Sequence, residues 1–178
     1  MRLSDIIIAL NSLSRTGWML RGVPSSVAES VSQHSFAAAL IAADVASQLG
    51  LDPLRAAFIA LVHDIGESIV GDVSKSSGVD RTAKELAERE AIFKMNVSDA
   101  VRGAALEYME GRSLESIVAK VGDLASTILE GCYYKSLGFK VSEIVTSSVN
   151  ELRAVVQRLP NGQKVLGVLK SEGIDLTC

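Results

Sequence analysis

Prolines stand at only three positions in this chain, 24, 53 and 160, and that scarcity restricts the fold more than any other feature. A proline inside a helix removes a backbone hydrogen bond and clashes with the preceding turn, so the long intervals between these positions can run as uninterrupted helices. The residues filling them agree. Aromatic residues make up only 4% of the chain against 48% hydrophobic in all, so a core must be assembled from Ala, Leu, Ile and Val. That diet favours helices over strands. With 178 residues, the chain suffices for one domain burying roughly 70% of its unfolded surface. No internal repeat or low-complexity linker divides it, so residues 1–178 read as a single domain.

Local signals place the elements. A short helix is expected over 4–13, and "SRTGWMLRGVPSS" (14–26) reads as a connecting loop punctuated by Gly17, Gly22 and Pro24. Ser30 or Ser32 can cap a helix that stops at Gly50. Asp52-Pro53 opens the next, with proline at the first helical position, continuing through "LRAAFIALVHDIGE" to Glu67. Further helices are expected at 81–95, 97–109, 113–135, 141–158 and 162–170. Nothing alternates as a strand. The expected fold class is all-α, a compact multi-helix bundle.

The net charge of −3 gives no electrostatic footprint for a nucleic-acid polymer or an anionic membrane. Cys132 and Cys178 make no disulfide framework and suit a reducing cytoplasm. The run "DIIIAL" is too short for the core of a signal peptide, and the apolar run from Phe36 stops at Asp44, far short of a membrane span. The expectation is a soluble, cytoplasmic chain.

Against that apolar background, "ALVHDIGESIVGD" (60–72) is costly: it places His63, Asp64 and Glu67 within five positions and ends on Gly71-Asp72. The other histidine in the chain, His34, also borders an apolar helical stretch, "SFAAALIAA". Two imidazoles directed inward from neighbouring helices are good candidates to share a divalent ion. Asp64 points about 100° from His63 around a helix, and Glu67 lies one turn on, beside both. Buried together, a carboxylate and an imidazole cost several kcal/mol unless paired or metal-bound. A solvated group at a fraying helix end, near Gly66, is the alternative that spacing leaves open.

The arrangement of an isolated helical histidine followed by a His-Asp doublet resembles the HD-domain superfamily of metal-dependent phosphohydrolases. "RTGWMLRGV", "SVSQH", "LVHDIGESIVGD" and "KVGD" occur in the order seen in the small HD-domain 5′-deoxynucleotidases, spanning residues 15–123. The resemblance implies a metal held by His34, His63, Asp64 and Asp123. Periodicity sets Asp123 nearly opposite the stripe formed by Ile117, Val121, Leu124 and Ile128, on a side carrying Ser116, Ala119, Ser126 and Thr127. A helix packed on two sides would reconcile the two. Two neutral imidazoles and two carboxylates balance a divalent charge, and the mixed N/O set suits Mn²⁺, Co²⁺, Fe²⁺ or Ni²⁺.

The resemblance further implies catalytic roles for Glu67, as proton donor to the leaving group, and for Asp72. Substrate contacts are implied for Arg15 and Trp18, which line the nucleotide pocket, and for Asp72, which meets the sugar 3′-hydroxyl; Lys120 is expected either to orient Asp123 or to touch phosphate. Each has a plainer reading: Glu67 as a partner orienting the ligands, Arg15 as an exposed charge, Trp18 as a hydrophobic plug, Asp72 as a turn residue. Gln33 stands where relatives often carry an acid. The implied substrate is a deoxyribonucleoside 5′-monophosphate or another small phosphorylated metabolite, with a metal- or nucleotide-binding module lacking turnover as the non-enzymatic alternative. A homodimer is expected by analogy and because exposed Ala/Val-rich helical surface needs cover.

Overall fold

Five of the helices begin where a short polar side chain takes the first free backbone N–H groups. In a computed structural model describing the backbone of residues 1–178 and every side chain except that of Ser76, the order is α1 (Leu3–Ser12), α2 (Thr16–Met19), α3 (Val31–Leu49), α4 (Pro53–Val62), α5 (Glu67–Val70), a 3₁₀ turn (Lys75–Ser77), α6 (Arg81–Lys94), α7 (Asp99–Glu110), α8 (Leu114–Ser136), α9 (Ser142–Val156) and α10 (Gly162–Ser171). Ser30, Asp52, Asp80, Ser98 and Ser113 cap α3, α4, α6, α7 and α8 through their side chains. Gln33 completes a capping box with Ser30: its side-chain oxygen accepts the Ser30 N–H at 2.7 Å. The described residues form no strand, and the fold is all-α.

Helix α8 is the central post, packed against α3, α4 and α9. Ile117, Val121, Leu124 and Ile128 are buried on one side of it; Ser116, Ala119, Asp123 and Ser126 are buried on the other. The two-sided packing therefore holds, and the small residues mark where another helix comes close. At Gly122 an added Cβ would strike the backbone carbonyl of Ala38. This contact brings α3 against α8 one residue before Asp123. Among the described residues, no helix is long and apolar enough to cross a membrane.

Three details differ from the sequence expectation. The 14–26 segment contains a helical turn, α2, which buries Trp18 in a small cluster with Val23, Ala28, Tyr134 and Val141. Helix α4 ends at Val62 instead of continuing to Glu67. The His63 ring supplies the reason: its Nδ1 lies 2.6 Å from the Ala60 carbonyl, which would otherwise take the Asp64 N–H. Shorter bonds follow, Ile65 N–H to Val62 and Glu67 N–H to Asp64, and the chain turns tightly before α5. Finally, Cys132 and Cys178, read as no framework, are joined in a disulfide with Cα atoms 5.7 Å apart. The 46-residue separation hides the fact that the chain after α10 returns to the end of α8.

Candidate metal centre

Three helices each deliver one donor to a common point. His34 sits in the first turns of α3, His63 at the end of α4 and Asp123 in the middle of α8. All three are buried, and one donor atom from each lies within 4.8 Å of the others. His34 Nε2 is 3.0 Å from Asp123 Oδ1, and His63 Nε2 is 3.8 Å from the same oxygen. Ligands about 2.1 Å from a shared ion are at most about 4.2 Å apart, so these two spacings fit a cation.

The hydrogen-bond pattern points the same way. His63 Nδ1 faces a carbonyl, which only an N–H can satisfy, so in the neutral ring Nε2 carries a lone pair. That atom is buried and makes no hydrogen bond, although Asp64 Oδ2 lies 3.0 Å from it. A buried ring nitrogen that faces two carboxylate oxygens without an aligned hydrogen bond is an arrangement that a cation between them would resolve. Asp123 divides its oxygens: Oδ2 accepts from the Tyr108 hydroxyl at 2.5 Å and from Lys120 Nζ at 2.8 Å, leaving Oδ1 toward the histidines. Burial opposes its charge, but Lys120 and His34 hold the carboxyl well below the usual range. His34 is pushed up to about 9: burial and Arg15 disfavour its proton, and the hydrogen bond with Asp123 together with the nearby Glu29 carboxylate outweigh them. A metal would take the place of that proton.

A second group of charges adjoins the first. Backbone pairing of Arg15 with Glu29 and of Val31 with Leu13 fixes the loop carrying Arg15. Its Nη1 reaches Asp64 at 2.9 Å, Asp72 at 3.6 Å and Glu67 at 3.9 Å. Asp72 also accepts the Thr16 N–H, tying its turn to the start of α2. The carboxylates titrate apart. Burial would raise Asp64, but His63 and Arg15 beside it keep it well below the carboxylate range. Burial and the Asp64 charge push Glu67 up to about 10, with Arg15 only partly offsetting them. An ionised and a protonated carboxyl side by side is the division of labour that acid–base chemistry uses.

The structure thus gathers His34, His63, Asp123 and Lys120 around one point and Arg15, Asp64, Glu67 and Asp72 around an adjoining one. Trp18 lies elsewhere: 2% exposed, edge-on to Tyr134, with its indole N–H donated to Glu29 Oε1 at 2.9 Å. Residues that sequence reasoning missed complete the surroundings. Glu29 Oε1 stands 3.7 Å from His34 Nδ1, so a carboxylate reaches this ring from position 29, while Gln33 serves the cap. The Ser126 hydroxyl lies 3.2 Å from the same nitrogen. Tyr108 also rests its ring 4.9 Å from that of His63. Glu29 directly precedes "SVSQH", so its place in the sequence offers a local signal; Tyr108 and Ser126 carry none.

A helical bundle with two histidines and an aspartate converging on one point is the mark of a class. The family model described as HD domain matches residues 8–160, and the chain belongs to that family of hydrolases. Among curated relatives, 5′-deoxynucleotidase HDDC2 of Danio rerio is 27% identical over 168 residues, 91% of this chain and 80% of that protein. The Homo sapiens 5′-deoxynucleotidase HDDC2 is 31% identical over 137 residues, 74% of this chain and 66% of that one. Among solved structures, PH0347 protein from Pyrococcus horikoshii OT3 superposes with a TM-score of 0.77 at 28% identity, covering 95% of this chain and 96% of that one.

Proposed function

We propose that the protein is a metal-dependent phosphohydrolase that converts deoxyribonucleoside 5′-monophosphates to deoxynucleoside and phosphate. The observation that carries the reading is the buried, unpaired His63 Nε2 facing Asp64 and Asp123. The similarity to 5′-deoxynucleotidases supports the substrate class. His34, His63 and Asp123 hold one divalent cation, with Asp64 as fourth ligand; the donor set suits Mn²⁺, Co²⁺, Fe²⁺ or Ni²⁺. When bound, such an ion supplies Lewis acidity at a phosphoryl oxygen and makes a nucleophile from water near neutral pH.

The chain's own groups do the rest. Lys120 and Tyr108 hold Asp123 by one oxygen so that the other stays fixed toward the histidines. Trp18 anchors Glu29 beside His34 and so acts on the centre from below. Arg15 spends Nη1 on three carboxylates, leaving the other edge of its guanidinium for phosphate. Glu67, protonated in its buried position, gives its proton to the departing 5′-oxygen. Asp72 keeps Oδ1 as an acceptor for the sugar 3′-hydroxyl and repels a 3′-phosphate. The protein works as a homodimer under this reading.

A panel of phosphomonoesters with added Mn²⁺ or Co²⁺ tests it. Phosphate release from deoxynucleoside but not ribonucleoside 5′-monophosphates supports the proposal. Release only from other phosphates overturns the substrate, and no release overturns the enzyme.

A further inference from the structure

Helix α6 reaches into the site through one side chain that the reaction outlined above leaves unused. Lys84 Nζ lies 2.9 Å from the Val73 carbonyl, 3.5 Å from Glu67 Oε1 and 3.3 Å from Glu88 Oε1. An ammonium has three donors and no acceptor, so these contacts use its full capacity, and its side chain is only 29% exposed. The backbone of α6 is seated as firmly. An added Cβ on Gly66 would come within 3.2 Å of the Glu88 carbonyl oxygen, so α6 lies directly on the turn joining the His63-Asp64 doublet to Glu67.

The consequence falls on Glu67. Its side chain is 1% exposed, with Oε1 facing Lys84 and Oε2 buried without a hydrogen-bond partner, 3.9 Å from Arg15 Nη1. Lys84 offers only protons, so the oxygen it meets must present a lone pair, and any proton on this carboxyl sits on Oε2. We propose that Lys84 is a positioning residue: by holding Glu67 Oε1 and the Val73 carbonyl together it aims Glu67 Oε2 at the leaving oxygen and fixes the turn that carries Asp72. Glu88 keeps Lys84 seated from the far side. The inference rests on the acid role of Glu67 in the reading above and adds the strut that makes it effective.

Because Lys84 touches Glu67 and not the substrate, its loss acts on kcat. A misplacement of about 1 Å at a reacting group costs about 10²-fold. Lys84→Met in the metal-loaded protein is therefore expected to lower kcat about 10- to 100-fold with KM changed less than about 3-fold, and Lys84→Arg to recover most of the loss. In a Glu67→Met background, Lys84→Met adds less than about a further 2-fold. A KM effect with kcat intact makes Lys84 a phosphate anchor and overturns the proposal. Equal effects with and without Glu67 overturn it as well. The melting temperatures of metal-free wild type, Lys84→Met, Glu67→Met and the double variant give a reading independent of turnover: the two substitutions must be non-additive, and additive shifts overturn the strut. A wild-type protein inactive on every phosphomonoester would instead remove the phosphohydrolase reading and the catalytic use of the strut, while the melting cycle still decides whether Lys84 holds Glu67.

Discussion

Replacing Glu67 by glutamine should make the metal-free protein more stable while destroying turnover. The Glu67 carboxyl is pushed from an ordinary value near 4.5 up to about 10 in the fold. An acid whose folded pKa is raised binds its proton in the native state after the unfolded chain has lost it, so the native state is penalised increasingly as pH rises through that window. Each unit costs about 1.4 kcal/mol, which sets a ceiling of about 4 kcal/mol at pH 7.5. Relaxation and the neighbouring charges reduce this to about 1–3 kcal/mol. Glutamine keeps the shape and the acceptor that faces Lys84 but has no proton to lose. The metal-free Glu67→Gln protein should therefore melt about 3–8 °C higher at pH 7.5, with the gain shrinking toward zero near pH 4.5. Paired thermal melts of chelated wild type and variant from pH 4.5 to 8.5 read this directly. A pH-independent difference, or a variant less stable at pH 7.5, would refute the claim that Glu67 is held protonated by burial beside Asp64.

Other perturbations separate the roles of the remaining residues. Asp64→Ala should abolish phosphate release and lower bound metal together, checked by metal analysis beside the activity panel; retention of either would remove Asp64 from the ligand set. Gly122→Ala drives a methyl group into the Ala38 carbonyl and should cost about 1–3 kcal/mol, visible in urea unfolding, with weaker metal retention as α3 and α8 separate. Trp18→Phe leaves Glu29 Oε1 without its indole donor, costing about 1–3 kcal/mol; an unchanged unfolding midpoint would mean the contact carries nothing.

The parts of this molecule legible in its sequence are those governed by neighbours along the chain. Ser30, Asp52 and Gly50 mark helix ends by local chemistry, and the structure puts the ends there. The apolar stripe from Ile117 to Ile128 is likewise a local pattern. The site was legible as an inventory of residue types, because His34 and His63 in apolar surroundings are expensive wherever they point. What periodicity could not give was Asp123: a single stripe presumes one buried side, whereas α8 is buried on two. Tyr108, Ser126 and Lys84 escaped notice because their partners lie 15, 92 and 17 residues away, and nothing local distinguishes them from ordinary surface or core positions. The end of α4 was missed because the His63 ring, not a proline or a cap, takes the carbonyl that would have continued the helix.

The central claim is that His34, His63 and Asp123, joined by Asp64, form one cation site. Titrating chelator-treated protein with Mn²⁺ in a calorimeter tests it without any substrate. The account predicts saturable binding of close to one ion per chain, lost in both His63→Ala and Asp123→Asn while the helical circular dichroism persists. Absence of saturable binding in the wild type, or binding that survives both substitutions, would contradict it.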